Sequence, residues 1–263
     1  MRIEDLNIFA AVGRLALALL AEIGRATLFA RDALLVGLTP HYYTAQILAQ
    51  LFRVGYTSLP VVAMTAFFTG GALALQIYTG SSSTTAETLV PSIVAVGITR
   101  ELGPVLAGLM VSGRVGASIA AELGTMKVTE QTDALVTLST NPLKYLVGPR
   151  LVAAVISLPL LVLIGDIIGI MGGYVVGTRS LGFNGTGFIK TTSDALHSDD
   201  VTSGLIKAAV FGFIIALMGC YHGFNSKGGA QGVGRATTNA VVSSAILILA
   251  ANFVLTSLLF GKH

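Results

Sequence analysis

The chain has 263 residues, 53% of them hydrophobic and 11% charged, with a net charge of +3 and a mean hydropathy of +0.80. Soluble domains carry about 25% charged residues, so this composition excludes one and describes an integral membrane protein with room for about five or six spanning helices. Little mass is left outside the bilayer, so any catalytic or soluble domain must come from another chain, and the basic excess reads as loop charge on one membrane side with no nucleic-acid partner.

Residues 1–53 form an N-terminal region in which Ile8 to Leu38 repeats apolar residues at helical spacing while Arg14, Glu22, Arg25, Arg31 and Asp32 interrupt them. That pattern is too charged to span and predicts an amphipathic helix lying on the membrane surface. No basic leader joins a short apolar core and a cleavage site, so the spans themselves are expected to direct insertion. Thr39-Pro40-His41 breaks the helix, and residues 54–263 form the membrane domain.

Its first span is expected over about 54–78, with Gly70-Gly71 permitting close helix packing. Thr79 to Glu87 carries turn formers and no cation, which fits an external loop, and a second span follows over about 89–120. The remaining spans are expected over 151–176, 204–224 and 240–260, with a polar external segment from Gly177 to Ser203 and a flexible loop from Lys227 to Arg235. Arg2, Arg14, Arg25, Arg31, Arg53, Lys127, Lys144, Arg150, Lys227 and Arg235 fall on one side, against Arg179, Lys190 and Lys262 on the other. The N-terminus is therefore expected in the cytoplasm and the C-terminus outside. The expected fold is all-α: one interfacial helix, five transmembrane helices and a cytoplasmic helix.

Charge inside a span is costly and usually functional. Arg100 and Glu101 are such a pair, either satisfying one another or lining a cavity that faces a lipid headgroup. Arg114 lies fourteen residues on and is expected to share a helix face with Arg100. The small residues from Gly103 to Ala121 leave that helix nearly bare for close packing. Glu122 to Leu138 is too polar to span and reads as a cytoplasmic helix, either a solvated connector or a docking element for a soluble partner. Asp166 is a lone intramembrane acid, read as an interhelical hydrogen-bond partner or a proton relay. Cys220 is the only cysteine and His41, His197, His222 and His263 are scattered, so neither metal-site spacing nor a catalytic triad is present. No Gly-x-x-x-x-Gly-Lys-Ser/Thr pattern occurs.

Several motifs in this order, Arg100-Glu-Leu-Gly-Pro-Val105, Gly113-Arg-Val-Gly-Ala117, Ala121-Glu-Leu-Gly-Thr-Met126, Val128-Thr-Glu-Gln-Thr-Asp-Ala-Leu135, Asn141-Pro142, Pro149-Arg150 and Gly232-Val-Gly-Arg-Ala-Thr-Thr238, resemble the MlaE family of permeases. Thr132 departs from the pattern, where a bulky aliphatic residue is expected. The resemblance implies a homodimeric permease of an ATP-driven transporter for phospholipids or other hydrophobic molecules, with no cofactor in this chain and no catalytic role of its own. ATP and Mg would be bound by a partner ABC ATPase, with an MCE-domain protein on the periplasmic side and in some members a STAS-domain protein. It maps a substrate cavity to Arg100 and Glu101, with Gln76 and Tyr78 added by their depth, and ATPase contacts to Glu122, Lys127, Glu130, Gln131 and Asp133. Beside it stand an ion- or proton-coupled carrier using Asp166, Glu101 and Arg114, a lipid-acting membrane enzyme, and a structural scaffold.

Overall fold

Apolar runs become helices throughout, and most of them run further than hydropathy alone places their ends. The computed structural model describes residues 8–37, 43–81 and 83–261. Arg2, the Thr39-Pro40-His41 break, Lys262 and His263 lie outside the described residues. All regular structure within them is helical.

Helix α1 (Ile8–Gly37) matches the expected amphipathic helix. It packs on the bundle through Ala33 and Phe29, whose ring centroid lies 5.7 Å from that of Tyr221, and exposes Leu17, Leu20, Ile23 and Leu28. Tyr221 Oη donates to Glu22 Oε1 at 2.7 Å. That bond and a second from Arg25 hold the Glu22 carboxyl below its ordinary range.

Among the described residues, five helical rods are long and apolar enough to cross a membrane: Thr44–Gly80, Thr85–Val128, Leu143–Arg179, Ser198–Phe224 and Gly229–Phe260. The first joins α2 (Thr44–Val54) to α3 (Leu59–Gly80) through a 3₁₀ turn at Tyr56–Ser58, so it starts ten residues before the expected boundary. Pro60 sits in the first turn of α3, where its missing N–H costs nothing. The second rod comprises α4 (Ser83–Gly97), α5 (Gly103–Val111) and α6 (Ala117–Val128), joined by π-helical turns at Ile98–Leu102 and Ser112–Gly116. The expected external loop from Thr79 to Glu87 is thus short, because α3 reaches Gly80 and α4 begins at Ser83.

Helix α7 (Gln131–Thr137) follows a turn in which Glu130 takes φ +60°. Residues 122–138 are therefore not one helix: the span continues to Val128 and a separate short helix follows. A third π-helical turn at Leu143–Val147 leads into α8 (Gly148–Arg179), which places Pro149-Arg150 inside the rod. After α9 (Gly185–Ala195) come α10 (Ser198–Phe224) and α11 (Gly229–Phe260). The expected loop from Lys227 to Arg235 is mostly helix, since α11 starts at Gly229.

Small residues set the helix spacing, as membrane packing requires in the absence of a hydrophobic drive between helices. At Gly70 a Cβ would collide with the carbonyl of Gly169, which is why α3 and α8 can touch backbone to backbone. On α11 the buried positions recur every four residues, Ala236, Ala240, Ser244 and Ile248, and Asn252 and Thr256 extend that stripe. The Ser244 and Ser112 hydroxyls meet at 2.6 Å, tying α11 to the second rod; such interhelical bonds are worth about 0.6 kcal/mol each.

Candidate functional site

The first π-helical turn carries Arg100 and Glu101. A π turn inserts a residue into the helical ladder and commonly marks a functional position. Adjacent residues on a helix diverge and do not face each other, and these two take separate partners. Arg100 Nε donates to Asp200 Oδ1 in the first turn of α10, while its guanidinium carbon lies 4.5 Å from the Phe260 ring centroid at the end of α11. Asp200 is fully buried, and its Oδ2 also accepts from the His197 backbone N–H at 3.0 Å, capping α10.

Glu101 turns toward α10 and α11. Its Oε1 accepts from Lys207 Nζ at 2.7 Å and Thr256 Oγ1 at 2.9 Å, and its Oε2 from Asn252 Nδ2 at 2.8 Å. Lys207 is 0% exposed and donates also to the Arg100 carbonyl at 2.8 Å and Thr256 Oγ1 at 2.8 Å. A buried ammonium is tolerated only when paired and bonded, and here every one of its donors has an acceptor. The Arg100 side of this network opens on a recess lined by Arg100, Asp199, Asp200 and Ile206.

At the opposite end of the bundle, Arg114 in the second π-helical turn reaches the α2–α3 corner. It donates to the Arg53 carbonyl at 2.8 Å, Thr57 Oγ1 at 2.5 Å and Ser58 Oγ at 2.8 Å. Glu122 pairs with Arg53 at 2.8 Å and Arg150 at 3.0 Å, joining the first three rods. Beyond it, Lys127 pairs with Asp133 at 2.8 Å across the turn before α7. Glu130, Gln131 and Asp133 are exposed, and so are Val136 and Leu138, the latter to 74%.

The Permease MlaE family description matches residues 47–258. The chain belongs to the MlaE permease family. It is similar to a probable ABC transporter permease protein of Rickettsia felis, 56% identical over 255 residues that cover 97% of this chain and 98% of the relative. It is also similar to the intermembrane phospholipid transport system permease protein MlaE of Haemophilus influenzae, 32% identical over 97% of this chain and 98% of that protein. A third relative is the chloroplastic protein TRIGALACTOSYLDIACYLGLYCEROL 1 of Arabidopsis thaliana, 38% identical over 81% of this chain and 61% of that protein. With its five long apolar helices, the chain is a multi-pass membrane permease.

Within this permease the expected site residues fall into separate groups. Arg100 and Glu101 belong to one polar network through α10 and α11 but do not satisfy one another. Tyr78 instead packs edge-on to Phe183, and exposed Gln76 makes no side-chain bond to that network among the described residues. Arg114 lies about four turns along the rod from Arg100 and takes its partners from the α2–α3 corner, whereas Arg100 takes its own from α10 and α11. Glu122 and Lys127 are engaged in internal ion pairs, which leaves Glu130, Gln131 and the outer edge of Asp133 toward solvent. Asp166 is 5% exposed and its Oδ1 has no hydrogen-bond partner among the described residues, so it is not the satisfied interhelical bond expected of it. Thr132 is buried, and its Oγ1 has no hydrogen-bond partner among the described residues, consistent with a slot shaped for an aliphatic side chain.

Lys207, Asn252, Thr256 and Asp200 complete the network and are absent from the sequence reading of the site. Two signals point to them: a single lysine inside an otherwise apolar run, and polar residues at four-residue spacing on the final helix.

Proposed function

We propose that the chain is the membrane-spanning subunit of an ATP-driven ABC transporter that moves phospholipids or other hydrophobic molecules between the bacterial inner membrane and a periplasmic MCE-domain partner. Two copies form the transport unit, each contacting an ABC ATPase that binds ATP and Mg, and a STAS-domain protein can join that ATPase. The N-terminus and the α6–α7 turn face the cytoplasm, and the Arg100 end faces the periplasm. The names of the relatives support the ABC assignment and the phospholipid class.

The observation that carries the reading is the turn after the second rod. Glu130, Gln131 and Asp133 stand beside exposed Val136 and Leu138, outside the bundle and one turn beyond the end of the rod that holds Arg100 and Glu101. A partner gripping this turn moves one end of a rod whose other end carries the polar network, so hydrolysis there opens or closes the cavity. Apolar walls hold acyl chains, and Arg100 pairs with the lipid phosphate at the rim of its recess.

Native mass spectrometry of the complex purified through a tag on this chain tests the reading. The expected particle holds two copies of this chain, two ATPase subunits, an MCE oligomer and bound phospholipid. Recovery of the chain alone, transporting without nucleotide, overturns it in favour of a carrier.

A further inference from the structure

Transport leaves the glycine-rich stretch from Lys227 to Arg235 without a role. Gly228 and Gly229 take φ of +89° and +67°, a left-handed pair that suits glycine, and α11 starts there. Beside this turn an open recess lies between α1, the end of α10 and the start of α11. Arg25, Lys227 and Arg235 line it against one carboxylate, Glu22.

Glu22 is already committed to Tyr221 and Arg25. Lys227 and Arg235 have no ion pair among the described residues, so the recess keeps two uncompensated positive charges. A Cβ at Gly228 would lie 3.6 Å from Arg235 Nη2, which places that guanidinium over the turn and next to Lys227. Ser226 also lines the recess and is 6% exposed, with its Oγ buried beside Gly124 and without a hydrogen-bond partner among the described residues.

We propose that this recess binds a phosphate group, carried by the headgroup of an anionic phospholipid, with Lys227 and Arg235 pairing to its oxygens. Charge-assisted pairs of this kind are the strong form of phosphate recognition. The surroundings assign the phosphate to a lipid. α1, which forms one wall, exposes Leu17, Leu20 and Ile23. On α11, Val242 and Ile246 follow the recess residue Asn239 at helical spacing and are exposed. Cations with apolar side chains directly beyond them match the two-part chemistry of a lipid rather than a free ion. The site lies at the opposite end of the bundle from the Arg100 network and requires only that the chain sits in a membrane.

The test uses the full chain, with the subunits it retains, exchanged into a mild detergent containing phosphatidylglycerol and read by native mass spectrometry, alongside calorimetric titration with inorganic phosphate. Lys227→Gln and Arg235→Gln are the test variants, and Arg14→Gln, another exposed cation on α1, is the control. Retained phosphatidylglycerol that falls about fivefold per cation removed, with no loss in the control, supports the site. Both altered residues are exposed, and unchanged thermal stability of each single variant verifies that the fold survives. Inorganic phosphate binding with the same losses but without lipid retention overturns the lipid source in favour of a soluble phosphate. Equal retention in all variants, or equal loss in the control, overturns the site. The readout involves neither ATP nor transport, so its failure is distinct from failure of the transporter reading.

Discussion

Replacing Lys207 with methionine removes the only ammonium in the Arg100–Glu101 network and keeps the side-chain volume. The lost contacts are those to Glu101 Oε1 at 2.7 Å, the Arg100 carbonyl at 2.8 Å and Thr256 Oγ1 at 2.8 Å. Breaking a buried pair by deleting one partner costs about 3–5 kcal/mol. The Glu101 side chain is 38% exposed and keeps Asn252 and Thr256 as donors, which sets the expected loss at the lower end, about 3 kcal/mol. Glu101→Gln strands a fully buried ammonium and is expected to cost about the same. Removing both charges together leaves neither stranded, so the double variant should also lose about 3 kcal/mol rather than the roughly 6 of independent sites. Reversible unfolding by denaturing detergent in mixed micelles measures all three. Additivity within about 0.5 kcal/mol would refute a coupled buried pair.

Exchanging Glu130 for glycine and Asp133 for alanine should abolish ATP-coupled lipid transfer while changing stability by less than about 1 kcal/mol, because the Lys127–Asp133 pair is exposed and glycine suits the φ of +60° at Glu130; normal transfer in a reconstituted complex would remove the coupling role. Gly103→Ala drives a Cβ into Asp166 Oδ1 and to 2.8 Å from the Ile98 carbonyl oxygen and should cost about 1–3 kcal/mol by thermal unfolding; Asp166→Ala in the same chain relieves the side-chain collision and should restore part of it, and no restoration would mean that collision is not the cause. Glu22 has its folded-state carboxyl held below the ordinary 4.5 by Tyr221 and Arg25. Its contribution to docking α1 is therefore complete above that value and is lost as pH falls through the lower folded-state value. Tyr221→Phe should shift the acid-induced proteolysis of α1 to higher pH, and an unchanged profile would show that this contact does not hold the helix.

The five rods were legible in the sequence because apolar runs of spanning length leave few other structures for a chain in lipid. Their ends were not, since Thr44 to Arg53 and Leu143 to Arg150 carry polar residues that only tertiary partners such as Glu122 make acceptable inside a helix. The π-helical turns are likewise invisible to periodicity, because one inserted residue changes register without changing composition. Arg100 and Glu101 stand out by their charge, but their partners lie about a hundred residues or more away, and the carboxylate that answers Arg100 sits in a segment whose polarity suggests an external loop. The glycines of Lys227 to Arg235 suggest a flexible loop, whereas most of those residues form the start of α11.

The central claim, that this permease works only when driven through the α6–α7 turn, is tested most directly by ATP-dependent transfer of fluorescent phospholipid from proteoliposomes containing the purified complex. The account predicts transfer that requires ATP, stops when the partner ATPase cannot hydrolyse it, and is lost with the Glu130 and Asp133 exchanges. Equal transfer by this chain alone without nucleotide, or under a proton gradient only, would contradict it.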